Sequence, residues 1–144
     1  MLTREQLGLD PAKPVYGDKV MCLRNNKQLG IFNGQSFTIE HLGQAGKFDD
    51  CYIKIKEQGS DYTLGCFTNL RCFNSDNYND VLSGPREIPF DYSYAVTCHK
   101  AQGSEYNRVL VVYESYAMRN FSPQKWFYTA VTRTRNFLDI IFLD

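Results

Sequence analysis

A chain of 144 residues with sixteen Lys and Arg against sixteen Asp and Glu carries no formal net charge. Hydrophobic residues make up 43% and charged ones 22%, the balance of a folded globular chain rather than a disordered or collagenous one. This length suits one or two small domains and excludes a large multidomain machine, and the zero charge argues at first against a nucleic-acid binder.

The sequence has no run of 18 apolar residues, so no transmembrane helix is expected. Residues 1–14 lack a basic stretch followed by an apolar one, so no secretory signal is expected and a cytoplasmic location follows. The cysteines, Cys22, Cys51, Cys66, Cys72 and Cys98, are odd in number and none stands in a C-x-x-C spacing. A disulfide framework and a zinc site are therefore disfavoured, no metal ligands are assigned, and free thiols packed as small hydrophobes are expected.

In chain order, residues 1–14 hold Pro11 and Pro14 with few large apolar groups and read as a lead-in. Residues 15–73 read as strands. A short β-prone run covers residues 18–23, and Asn33-Gly34 between apolar runs is a hairpin signal, because both residues tolerate positive φ. Phe37, Ile39 and His41 fall on one face of the second arm. Cys51, Ile53 and Ile55 alternate with Tyr52, Lys54 and Lys56, and Tyr62, Leu64 and Cys66 repeat the period after a turn at residues 58–61. About five short strands in so few residues predict a small closed or nearly closed all-β barrel. Tyr16, Phe32, Phe37, Phe48, Tyr52, Tyr62 and Phe67 are read mostly as its core, with one or two available to stack on bases if exposed.

Residues 74–86, polar and turn-rich with Gly84 and Pro85, read as a linker. Residues 87–144 then read as part of an α/β layer. Residues 92–97 form a candidate strand, residues 99–107 a loop or short helical turn, and residues 109–113 a strand buried on both faces. Ser122-Pro123 is a helix start, with Ser as N-cap and Pro at the first helical position. Trp126, Phe127, Ala130, Val131 and Thr134 fall on one face of that helix, and residues 137–143 form a last buried strand.

Two segments carry chemistry. The first is a polar loop after a strand ending at Thr97, holding His99, Lys100, Gln102, Gly103, Ser104 and Glu105. Ligands bind at the C-terminal ends of strands in α/β folds, and Gly103 would allow close backbone approach. Lys100 suits a phosphate and Glu105 a ribose hydroxyl; the competing reading is a solvated loop with Gly103 as a cap. The second segment holds Arg133 and Arg135. Two apart on a helix they point in nearly opposite directions and cannot serve one ligand atom together. Arg133 on the flank of an apolar face can stabilise charge on a transferring phosphoryl group, or it can be an ordinary solvated Arg near a helix end.

Taken together, Thr97-Cys98-His99-Lys100-Ala101-Gln102-Gly103-Ser104-Glu105 and Tyr128-Thr129-Ala130-Val131-Thr132-Arg133-Thr134-Arg135 resemble the last two motifs of superfamily 1 helicases, most closely the RecD-like branch. Gly17-Asp18-Lys19-Val20-Met21, Asn25-Asn26 and Asn33-Gly34 are similar to the Src-homology-3-type (SH3-like) barrel inserted in the second motor domain of that branch. The resemblance implies an SH3-like β-barrel joined to the C-terminal part of a RecA-like, P-loop NTPase-type α/β layer. It implies that Gln102, Gly103, Glu105 and Arg133 line an ATP cleft, with Glu105 near the ribose and Arg133 as the catalytic arginine finger. Thr97, His99 and Lys100 would lie toward single-stranded DNA, and Arg135 would serve a less defined, pairing role.

No G-x-x-x-x-G-K-[ST] phosphate loop and no adjacent Asp-Glu pair for Mg²⁺ occur. The expectation is thus a C-terminal portion of an ATP-dependent DNA helicase, inactive alone. Its partners are single-stranded DNA and the missing N-terminal motor domain of the same protein, with ATP and Mg²⁺ bound only by the complete protein. The alternative is a stand-alone, non-enzymatic nucleic-acid-binding or protein-interaction module. The neutral total does not exclude DNA, because charge clusters locally. Lys13, Lys19, Arg24 and Lys27 stand against Asp18 in one stretch, and Arg119, Lys125, Arg133 and Arg135 meet no acid in another.

Overall fold

The computed structural model describes residues 8–10, 13–73, 75, 77–82, 84–114 and 122–143. Most of the expected lead-in and Arg119 lie outside these residues. The described structure is mostly sheet with few helices, in two compact units, Met1–Ala95 and Val96–Asp144.

The first unit is a five-stranded antiparallel sheet of β1 (Lys19–Cys22), β2 (Ser36–Leu42), β3 (Asp50–Glu57), β4 (Thr63–Asn69) and β5 (Phe90–Tyr92), in the order β4-β3-β2-β1-β5. Period-2 patterning works as expected in β3, where Cys51, Ile53 and Ile55 are buried while Tyr52 and Lys54 face out. With Val20, Ile31, Phe37, Ile39, Ile88 and Phe90 these isoleucines form one fully buried cluster. Phe37 and Phe90 meet edge to face at 6.2 Å. The two outer strands are also tied. The backbone N–H of Ile88 donates to the carbonyl of Phe67 at 2.7 Å, and Glu87 bridges to Phe67 in parallel. That contact protects part of both sheet edges.

The Asn33-Gly34 turn is present, with Gln35 N–H donating to the Phe32 carbonyl at 3.1 Å and Gly34 at φ 87°. Asn33 keeps a negative φ, so only the second central position needs a glycine. The turn leads from a single bridge, Asn26 to Ile31, into β2, whose partners are β1 and β3.

Three expectations need correction. His41 is exposed rather than on the face of Phe37 and Ile39. The pairing of β2 with β3 shifts between Ile39 and His41, and this bulge turns His41 outward, opposite Lys54. Of the seven aromatics read as core, only Phe37 is buried; Tyr16, Phe32, Phe48, Tyr52, Tyr62 and Phe67 are exposed. The expected join at residues 74–86 lies inside the first unit. Tyr78, in a short 3₁₀ turn, donates its hydroxyl to the Leu23 carbonyl at 3.2 Å, and the chain then returns as β5 along β1. Residues 92–97 are accordingly not a strand of the second unit: the strand is Phe90–Tyr92 and belongs to the first sheet.

The end of the first unit is anchored by Asp18. This nearly buried carboxylate accepts from the Val15 N–H at 2.7 Å and from the Tyr94 hydroxyl at 2.8 Å, so it clasps the last residues of the unit to the start of β1.

The second unit pairs β6 (Tyr106–Glu114) in parallel with β7 (Thr134–Leu143), joined through α1 (Pro123–Val131). Pro123 opens the helix as expected, while Ser122 makes no side-chain cap bond. Tyr113 packs against Trp126, Phe127 and Phe142, with ring centroids 5.6–6.4 Å apart, and Val111 and Ala130 are buried. The expectation of strands buried on both faces does not hold. Leu110, Val112, Phe137, Leu138, Ile141, Phe142 and Leu143 are exposed. Parallel strands are normally covered on both faces, and one helix against two strands cannot do that. Among the described residues no helix is long and apolar enough to cross a membrane.

All five cysteines are free thiols. Burial pushes Cys66 up to about 12 and Cys72 up to about 11, and raises Cys22 and Cys51 as well. These thiols stay protonated in the fold, whereas unfolded ones ionise near 9. The folded state therefore binds more protons than the unfolded state at alkaline pH, and stability falls as pH rises above about 9. Urea unfolding at pH 8 and pH 10 is expected to show an earlier midpoint at pH 10. Modification of Cys22, Cys66 and Cys72 by an aromatic disulfide at pH 8 is expected to require unfolding.

Candidate nucleotide and single-strand site

Residues 97–101 form a single helical turn. Thr97 caps it, its Oγ1 accepting from Lys100 N–H at 3.3 Å and its carbonyl from Ala101 N–H at 3.0 Å. The turn ends at Gly103, whose φ of 89° suits a residue without Cβ. A Cβ there would meet nothing within 4 Å, so the demand is conformational and the space above the backbone is open. His99, Lys100, Gln102 and Glu105 are all exposed on this loop.

The two arginines are not on the helix. Helix α1 stops at Val131, Arg133 lies in the turn that follows, and Arg135 is the second residue of β7. The argument from helical spacing therefore does not apply to them. The reason for the early stop is local: Thr132 and Arg133 turn the chain directly into β7, and Tyr106 N–H donates to the Arg133 carbonyl at 2.8 Å.

Arg133 is half-buried, and each nitrogen of its guanidinium donates one hydrogen bond. Nε donates to the Thr129 carbonyl at 3.1 Å, one terminal nitrogen to the Ser104 carbonyl at 3.3 Å, and the other to Thr132 Oγ1 at 3.2 Å. Ser104 belongs to the first motif, so this side chain ties the two motifs together. Arg135 makes a second tie, with Nε 2.9 Å from Glu105 Oε2. Its direction comes from a bulge. Tyr106 faces Thr134 but Arg108 faces Phe137, so Arg135 and Asn136 oppose Asn107 alone. Asn136 donates to Asn107 across the same irregularity.

The positive charge of Arg133 also reaches Cys98. Burial raises that thiol, and the arginine pulls in the opposite direction.

The structure thus brings Gln102, Gly103, Glu105 and Arg133 to one end of the β6–β7 pair, together with Thr97, His99 and Lys100 on the same short loop. This is the end where both strands begin, and the strand expected to end at Thr97 just before the loop is absent, the preceding strand stopping at Tyr92. Sequence reading placed Ser104, Thr129 and Thr132 in the two motifs but gave them no role in holding Arg133. The first two contribute backbone carbonyls, which leave no mark in a sequence, and the Thr132 hydroxyl was hidden among the threonines of the motif. The described residues hold no group of three carboxylate, His or Cys side chains suited to a metal ion, and Glu105 already faces Arg135. They therefore do not fit a Mg²⁺ site by themselves.

The Glu105–Arg135 pair is well exposed, at 55% and 66% for the two side chains. A double-mutant cycle on thermal unfolding is expected to give a coupling of no more than about 1 kcal/mol. Such a weak pair leaves both groups able to exchange their contact for a ligand.

Residues 92–139 match the UvrD-like helicase C-terminal domain family. The chain is 29% identical over 126 residues to the RecBCD enzyme subunit RecD of Buchnera aphidicola subsp. Schizaphis graminum, covering 86% of this chain and 17% of that protein. Among solved structures it is similar to a Bacteroides Pif1 helicase in complex with ADP-AlF3 and single-stranded DNA. That superposition has a TM-score of 0.58 at 19% identity, over 92% of this chain and 30% of that one. It is also similar to Pif1 in a study of two coordinating helicases at forked duplex DNA, with a TM-score of 0.56 at 19% identity, over 90% and 28%. The chain spans less than a third of each of these proteins. Together these similarities support a C-terminal fragment of a superfamily 1 helicase.

Proposed function

We propose that this chain supplies the C-terminal part of an ATP-dependent DNA helicase motor. In this reading the first unit is an SH3-like barrel and the second is the edge of a RecA-like layer. The loop of Gln102, Gly103 and Glu105 faces ATP, Arg133 stabilises charge on the transferring phosphoryl group, and Thr97, His99 and Lys100 face single-stranded DNA. The observation that carries it is the pair of ties, Arg133 to Ser104 and Arg135 to Glu105, which joins the two motifs into one polar site.

Chemically the site is suited to sensing a nucleotide. A guanidinium held by two carbonyls and a hydroxyl is preorganised and always charged, and it can trade one of those acceptors for a phosphate oxygen at little reorganisation cost. ATP brings the phosphoryl group to be transferred, and Mg²⁺ would be held by residues outside those described. The exposed apolar strands β6 and β7 support the same reading, because a parallel pair of this kind gains stability when further strands and helices of a motor layer cover it.

The test is complementation. When this chain is joined to a domain bearing a phosphate loop, ATP hydrolysis stimulated by single-stranded DNA is expected to appear only in the joined protein. Equal stimulation of the phosphate-loop domain without this chain contradicts the reading.

A further inference from the structure

Glu105 is held through both of its chain neighbours and through its own carboxylate. Ser104 before it is bonded at both backbone groups: its N–H donates to the Ala101 carbonyl at 3.1 Å, and its carbonyl accepts from Arg133 at 3.3 Å. Tyr106 after it donates its N–H to the Arg133 carbonyl at 2.8 Å. The side chain meets Arg135, whose Nε stands 2.9 Å from Oε2. Glu105 directly precedes β6 and Arg135 lies in β7, so the pair spans the bulge at which Arg135 and Asn136 oppose Asn107.

That contact uses one oxygen of the carboxylate and one nitrogen of the guanidinium. Among the described residues, neither Oε1 of Glu105 nor a terminal nitrogen of Arg135 makes another hydrogen bond, and more than half of each side chain is exposed. The pair therefore offers an acceptor beside a fork of donors. A carboxylate only accepts and a guanidinium only donates, so the matching ligand group does both at neighbouring atoms. A vicinal diol is such a group: one hydroxyl donates to the carboxylate while an oxygen of the diol accepts from the guanidinium. A phosphate would be repelled by Glu105, and an ammonium by Arg135.

We infer that Arg135 is a specificity-determining residue for the nucleotide: with Glu105 it reads the ribose diol, so that ribonucleoside phosphates are preferred to 2′-deoxyribonucleoside phosphates. The inference rests on the helicase reading above, in which this loop faces ATP. Glu105 alone accepts from either hydroxyl and tolerates the loss of one. With Arg135 beside it the diol answers both partners, and a 2′-deoxy sugar leaves one of them without its bond. Exposure sets the magnitude. A buried site built around a hydroxyl rejects an analogue lacking it by about 10⁴-fold, because its polar groups are left unpaired. Here water replaces the missing partner, and about tenfold is expected, the low end for a hydrogen bond to a charged group. The pair adds little to stability, yet a ligand can engage its remaining atoms without breaking the contact between Nε and Oε2.

The probes are ADP and 2′-deoxy-ADP, titrated by calorimetry into the protein that joins this chain to a phosphate-loop domain. The unaltered protein is expected to bind ADP about tenfold more tightly than 2′-deoxy-ADP. Arg135→Gln is expected to bring the two affinities within about twofold by weakening ADP alone. Arg135→Lys is expected to keep an intermediate ratio, because an ammonium lacks the fork that holds Glu105 and reaches the sugar together. The pair is exposed, so neither change touches the core. If Arg135→Gln keeps the full ratio, including the case in which both ligands weaken together, the arginine meets a phosphate or only supports the loop. The inference is then overturned while the helicase reading stands. Equal affinity of the unaltered protein for the two ligands also overturns it and leaves that reading in place. If the unaltered joined protein binds neither nucleotide, the helicase reading fails and the inference falls with it.

Discussion

Arg133→Ala is expected to lower single-strand-stimulated ATP hydrolysis about 10³-fold in a protein joining this chain to a phosphate-loop domain, the low end of what an arginine finger contributes. The size of the effect follows from the chemistry of the guanidinium. It is always charged, and its fork of donors matches the equatorial oxygens of a phosphoryl group. Its three present acceptors hold it at the junction of the two motifs. Arg133→Lys keeps the charge but loses the fork, so it is expected to recover only a small part of the rate. Thr132→Val is the control for positioning. It removes the acceptor of one terminal nitrogen and leaves the arginine, so it is expected to cost about tenfold, near the low end for one hydrogen bond to a charged group. A rate unchanged in Arg133→Ala removes the finger from the account.

Phe90→Ala is expected to destabilise the first unit by about 3–5 kcal/mol, the usual loss for a fully buried aromatic cut back to a methyl group. The ring is packed edge to face on Phe37, and β5 pairs with β1 through Phe90 opposite Cys22. Unfolding in urea, followed by the exposure of Cys22 and Cys66, reads this unit rather than the one holding Trp126. Since whole domains are stable by only about 5–15 kcal/mol, a large early shift in midpoint is expected. The measurement also tests the domain boundary. Had the chain divided at residues 74–86, Phe90 would belong to the second unit, and thiol exposure in the first would not respond to it.

The sequence was informative wherever one rule acted alone. Alternation in β3 placed Cys51, Ile53 and Ile55 inside, because a strand with one wet face sorts its side chains by period 2. Pro123 marked the helix start because only the first turn tolerates its missing N–H. The readings that failed are those in which a second effect competes. Aromatic residues favour strands on either face, so Tyr52 and Phe67 kept the alternation while facing solvent. The bulge after Ile39 moved His41 to the other face, and no residue type announces a bulge there. β5 was assigned to the wrong neighbour because composition shows a turn-rich stretch but not which sheet the chain returns to. The motif residues of the candidate site were all visible, since side-chain chemistry identifies them. Their mutual ties were not, because Ser104 and Thr129 act through carbonyls that every residue possesses.

The second unit illustrates the same limit in another way. A continuous apolar run reads as a strand buried on both faces, and β6 and β7 have that composition. Their exposure fits the proposed reading, in which further strands and helices of a motor layer cover them, and the chain spans less than a third of each relative.

In the proposed reading Arg133 acts on charge developing at a transferring phosphoryl group, and a ground-state ligand set beside a transition-state analogue separates that role from ordinary binding. ADP and ADP with aluminium fluoride are titrated into the joined protein and into its Arg133→Ala variant. An interaction made mainly in the transition state leaves ADP affinity unchanged within about threefold and weakens the analogue by roughly 100-fold or more. Equal effects on the two ligands, or no effect on the analogue, would contradict the account.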